Sequence, residues 1–133
     1  ERAGATGAAR QKLEAAFAAI TVREDALTDR LLTWLNARND CRVIGKPDNR
    51  SSTRVPTIAF KAEGRNAGEI ARRMDDFGIA IRFGDFHSRR LIETLGLQAD
   101  GGVLRMSLVH YNTLDEVDRL TAALSQILAE TPA

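Results

Sequence analysis

The stretch GGVLRMSLVHYNTLDEVDRL, Gly101 to Leu120, sets an arginine in the middle of an apolar strand and follows that strand at once with a helix start. Successive side chains of a strand point to opposite faces, so Leu104, Met106 and Leu108 share one face and Val103, Arg105, Ser107 and Val109 the other. A guanidinium stays charged at physiological pH, so the face carrying Arg105 must supply water or an anion. Thr113 with Glu116 three residues on forms a capping box, and Leu114, Val117, Leu120, Leu124, Ile127 and Leu128 give the closing helix an apolar stripe. A chain with this segment needs a sheet buried by helices on one face and at least partly polar on the other.

The rest of the chain supplies that sheet and its helices. From Ala8 to Ala37, Leu13, Phe17, Ile20, Leu27, Leu31, Trp34 and Leu35 recur at helical spacing, which predicts one long helix or two broken near a Thr21/Glu24 capping box. CRVIG is a short strand and KPDNRSST a polar, turn-rich loop, the one obvious flexible stretch. RVPTIAFKAEG reads as a strand with Ile58 and Phe60 on one face, and Pro56, lacking a donor, at its start or on an edge. NAGEIARRMDDFG is a helix capped by Asn66 and ended by Gly78. IAIRFGD alternates as a strand, and HSRRLIETLGL is a short helix ending at Gly96. The order predicts an α+β domain: a small mixed sheet with helices packed on one face, preceded by a long N-terminal helix over 1–39, with the sandwich in 40–133. The opposite face, with Arg82 or Arg105, is left for a partner or ligand.

At 133 residues the chain is one domain, long enough to bury about two thirds of its unfolded surface. Its 19 basic and 18 acidic side chains nearly cancel, so no overall field draws nucleic acid or an anionic membrane. Surface aromatics on which bases would stack are missing. No apolar run approaches a membrane span. The single Cys41 rules out an internal disulfide and suits a reducing cytoplasm; it reads as a small buried apolar residue. Two histidines and one cysteine, far apart, argue against a metal centre. The start, ERAGATGAAR, reads as a polar lead-in cut from something longer.

GIAIRFGDFHSRRLIETLGL and GGVLRMSLVHYNTLDEVDRL together resemble the C-terminal part of the class V aminotransferase and cysteine desulfurase family, pyridoxal-phosphate enzymes of fold type I. Arg82 and Gly84 match the family's arginine-and-glycine strand. Arg105, Ser107, Tyr111, Asn112, Thr113, Glu116, Val117, Asp118 and Leu120 match its arginine strand, YNT turn and following helix, and RVPTIAF looks like the first strand of its small domain. The resemblance implies that Arg105 holds the α-carboxylate of an amino-acid substrate, which suits a planar fork of donors fixed on a strand. A snorkelling arginine, or one paired with Asp100 or Asp118, is the competing reading. Arg82 is implied to help orient substrate or the facing subunit, or else is a solvated strand residue.

Desulfurases of this subgroup carry a cysteine in the loop after that glycine, and the counterpart here is His87. A histidine cannot store sulfane sulfur, so the resemblance leaves His87 as an accessory acid or base, or as an exposed residue at a helix start. His110 and Tyr111 are expected to pack around the cap at Thr113. The family's cofactor lysine stands in a Ser-x-His-Lys context that Lys12, Lys46 and Lys61 all lack. The resemblance therefore implies the small domain of a larger, cytoplasmic, homodimeric pyridoxal-phosphate enzyme. The lysine-bearing large domain would be its partner, and this chain alone would hold no covalent cofactor. An apolar docking surface is expected along the first helix near Phe17 and Trp34. The alternative is a stand-alone α+β module that binds a small anion or dimerises without catalysis.

Overall fold

The computed structural model describes residues 8–49 and 54–130. Helix α1, Ala9–Asn36, is a single element about 42 Å long, and it does not break at Thr21. Keeping one threonine in a helix costs less than about 0.7 kcal/mol, whereas a break would orphan backbone groups on both sides of it. Its apolar stripe is used in only one half: Leu27, Leu31, Leu32 and Leu35 are buried, while Leu13 and Phe17 stay 57% and 58% exposed.

Strands β1 (Cys41–Ile44), β2 (Thr57–Ala62), β3 (Arg82–Gly84) and β4 (Val103–Ser107) form one sheet in the order β1-β2-β4-β3. Every pairing is antiparallel, where a mixed sheet was expected. The chain crosses from β2 to β3 through helix α2 (Ala67–Asp75), as in a parallel βαβ unit, but β4 enters between the two strands and pairs antiparallel with both. The segment after Gly84 continues through helix α3 (Arg89–Thr94), and helix α4 (Leu114–Ala129) closes the fold.

The caps behave as their sequences predict. Asn66 accepts from the amides of Gly68 and Glu69, and Thr113 and Glu116 form the reciprocal box at the head of α4. Helix α2 ends in a Schellman turn, with Gly78 at φ +67°, its N–H on Asp75 and the Ile79 N–H on Met74. That turn consumes the Ile79 donor, and the strand expected from Ile79 onward pairs only from Arg82. Gly102 has a different role: a Cβ there would lie 2.4 Å from the Gly84 carbonyl oxygen, so glycine is what lets β3 and β4 approach at this end.

Helices α1, α2 and α4 cover one face of the sheet, where Ile58, Phe60, Leu104 and Met106 meet Leu31, Leu35, Met74 and Leu124 in the main core. Helix α3 departs from the expectation of helices on one face. Its Ile92, with Leu97, packs against Val103, Ala59 and Ile44, all of them side chains of the opposite face. That apolar cluster is what holds α3 on this side of the sheet. Half of the second face is thereby covered, and the half around Arg105 and Arg82 is left open.

Candidate functional site

Arg105 stands at the centre of that second face. Ala59 lies opposite it on β2 and Arg82 opposite it on β3, so both arginines project from one row of the sheet. Two residues along, Thr57 and Ser107 face each other and the threonine hydroxyl donates to the serine oxygen at 3.3 Å. The Arg105 guanidinium carbon sits 4.1 Å from the ring centroid of Phe86, a stacking distance at which a cation is held by the ring face. Its Nε is buried and has no hydrogen-bond partner.

No acid neutralises it among the described residues. The two candidates from the sequence are engaged elsewhere: Asp100 binds Lys61 at 2.7 Å, and Asp118 forms a two-point pair with Arg30 at 2.7 and 2.8 Å. The hydrogen bond from Arg30 holds the Asp118 carboxyl below the usual carboxylate range, as expected of a committed ion pair. The paired-arginine reading of Arg105 is thus excluded for both named partners. What remains is a half-buried guanidinium, fixed on one face by an aromatic ring, with donors open to an anion. Such a fork matches a carboxylate in two-point fashion.

Phe86 itself was not marked by the sequence. It lies in the turn Asp85–Ser88, closed by the Ser88 N–H on the Asp85 carbonyl at 2.8 Å, with Phe86 at φ +50° and His87 at φ +64°. Two consecutive positive φ values have the signs of a type I′ turn, which normally takes Asn and Gly. The Asp85 carboxylate helps by accepting the His87 N–H at 3.0 Å. The left-handed region costs a residue with a Cβ about 1–2 kcal/mol, so the turn is strained where it touches the site. Arg82 is exposed and paired with Arg105 on the same face, and His87 is exposed in the turn that carries Phe86.

The other expectations divide. Cys41 is half-buried and its thiol is pushed up to about 11 by burial, with the Asp40 carboxylate adding to the effect, so it behaves as an inert, small apolar residue. His110 and Tyr111 do not support the cap at Thr113. Tyr111 is 76% exposed, His110 turns toward Glu24 at 3.9 Å, and the loop is braced instead by Asn112, whose side-chain oxygen accepts from the Val109 N–H. The residues of the loop KPDNRSST from 50 to 53 lie outside the described part. Among the described residues no cluster of three or more His, Cys, Asp or Glu could hold a metal ion, and no helix is long and apolar enough to cross a membrane.

Covalent pyridoxal phosphate does not fit the lysines described. Lys61 is locked between Asp100 and Glu63, which raise its affinity for its proton, whereas a lysine that attacks a carbonyl must give one up. Lys12 projects from the exposed half of α1 and Lys46 from the exposed start of the β1–β2 loop.

The sequence pattern of the family Aminotransferase class-V matches residues 3–120. The chain is 37% identical over 111 residues to the aminotransferase-like protein FGM3 of Gibberella zeae, covering 83% of this chain and 28% of that protein. It is 37% identical over 109 residues to a probable cysteine desulfurase of Halobacterium salinarum, covering 81% and 25%. The fold superposes on a cysteine desulfurase from Thermococcus onnurineus with a TM-score of 0.75 at 21% identity, over 90% of this chain and 28% of that one. The chain therefore spans about a quarter of the length of these relatives.

Proposed function

This chain belongs to the class-V aminotransferase family, and from that premise we propose that it is the small, C-terminal domain of a larger pyridoxal-phosphate protein, to which it contributes the arginine that binds the substrate carboxylate. The observation that carries the reading is Arg105: a strand-mounted guanidinium with no acidic partner among the described residues, stacked on Phe86 and open on its remaining edge. An α-carboxylate docked on that fork gains charge-assisted hydrogen bonds and loses rotational freedom, and this orientation lets a protein select which bond of an amino acid reacts. Arg82, in the same row, adds positive potential and a second set of donors.

The lysine and the phosphate-binding groups that such chemistry needs are proposed to lie in a larger domain outside this chain. Support for a docked neighbour comes from α1, whose outer half presents Leu13 and Phe17, four residues apart on one side of the helix, with more than half of each surface bare. Apolar side chains in one stripe are what a covering domain would bury. The turn at 85–88 holds no thiol, so no sulfur-accepting step is assigned to it, and exposed His87 is left as an accessory proton carrier.

The test is an absorbance spectrum of the protein made from its complete reading frame, purified with pyridoxal phosphate, before and after borohydride. A visible band that reduction bleaches and fixes to a lysine outside residues 1–133 supports the reading. A product that takes up no cofactor overturns it.

A further inference from the structure

We propose that Phe86 is the positioning residue for Arg105: its ring forms the floor on which the guanidinium lies flat, and the strained turn at 85–88 exists to hold that ring in place. The inference deepens, and rests on, the carboxylate reading of Arg105.

Three observations converge on it. The Arg105 guanidinium carbon lies 4.1 Å from the Phe86 centroid, while its buried Nε has no hydrogen-bond partner. The side chain is therefore oriented by the ring and by its own strand rather than by an acid or a carbonyl. Phe86 reaches this place only because the backbone accepts φ +50° there and φ +64° at His87, a conformation that side chains with a Cβ rarely take. The turn is secured at both ends, by the Asp85–Ser88 backbone bond and by the Asp85 carboxylate on the His87 N–H.

The ring is also anchored from below. It packs against the small cluster of Ile92, Leu97 and Val103, which attaches α3 to this face of the sheet. Helix α3, the turn and the arginine thus form one stack, from apolar anchor through aromatic ring to cation. A guanidinium held flat this way keeps its edge donors directed outward, so a carboxylate meets a fork that is already oriented and little entropy is lost on binding. A Phe86 that merely filled the small cluster would be replaceable by any apolar side chain of similar bulk. A ring that positions a cation is replaceable only by another ring.

The experiment uses the protein made from its complete reading frame, labelled with 15N at arginine, with the Arg105 Nε–Hε signal assigned by its loss in Arg105→Lys. Phe86→Leu and Phe86→Tyr are compared with the parent, and thermal unfolding confirms that each is folded. Two quantities are read: the Nε relaxation, which reports how firmly the side chain is held, and the dissociation constant for acetate. Phe86→Leu is expected to free the Nε–Hε and to weaken acetate binding by about fivefold, the size of a partly desolvated cation–π contact, and Phe86→Tyr to restore both. Equal Nε rigidity in all three proteins, or equal loss in both variants, overturns the proposal. If acetate leaves the Arg105 signal of the parent unmoved, the carboxylate reading fails, while the relaxation data still decide whether Phe86 positions Arg105.

Discussion

On one side of β4, Leu104 and Met106 are 1% and 3% exposed and vanish into the layer formed by α1, α2 and α4. On the other side, one residue away, Arg105 keeps a full charge without an acidic partner among the described residues and lies on an aromatic ring. The helical face is stabilised by many dispersion contacts and by apolar area removed from water, and no single polar group decides it. The open face has a small apolar cluster under α3 and, beside it, a row of arginines whose charges the fold leaves unsatisfied. One face is where stability resides and the other carries the proposed carboxylate site, and side-chain alternation along a five-residue strand is enough to separate them.

The sharpest way to break this comparison is to truncate both sides of β4. Leu104→Ala should cost about 2–5 kcal/mol by denaturant unfolding, the usual range for a fully buried leucine. Arg105→Gln should change stability by about 1 kcal/mol or less, because the stack on Phe86 is lost but no ion pair or hydrogen bond is. Comparable losses in both would show that the open face is structural too. Gly102→Ala should rank next, at about 2 kcal/mol or more. It puts a Cβ 2.4 Å from the Gly84 oxygen and a side chain on φ +89°, and it should part β3 from β4 and so move Arg82 away from Arg105. Amide exchange along 82–84 would read the separation.

A smaller effect belongs to the head of α4. Thr113→Ala should cost about 1 kcal/mol, the typical worth of an N-cap hydroxyl. The companion carboxylate gives a pH signature. The Thr113 backbone N–H, and then Asn112, hold the Glu116 carboxyl below its ordinary 4.5. A lowered folded-state value means the stabilisation is complete above pH 4.5 and is lost as pH falls through the lowered value. The stability of Glu116→Gln should accordingly fall less steeply than the parent's below that pH.

Much of the helical face was legible in the residues. Asn66, Thr113 with Glu116, and Gly78 mark helix ends through local hydrogen bonds that need no tertiary context. The stripe in α4 names buried residues correctly at Val117, Leu120, Leu124, Ile127 and Leu128, but not at Leu114, which is 45% exposed in the first turn. What stayed hidden depends on how segments meet. After the Schellman turn that ends α2 the chain pairs only from Arg82, β4 enters between β2 and β3, and α3 packs on the far side of the sheet. At the site, Arg105 was legible because a charge inside an apolar strand demands an explanation. Phe86 was not, because its signal lies in two positive backbone angles that nothing in the pair Phe-His announces.

The central claim is that Arg105 is prepared for a carboxylate, and it is tested most directly by titrating the protein made from its complete reading frame with L-alanine and with L-alaninamide, which differ only at that group. The account predicts that the parent prefers L-alanine by about 10–100-fold, the worth of hydrogen bonds to a charged acceptor, and that Arg105→Gln abolishes the preference without unfolding. An unchanged preference in Arg105→Gln would contradict it and place the carboxylate on another residue.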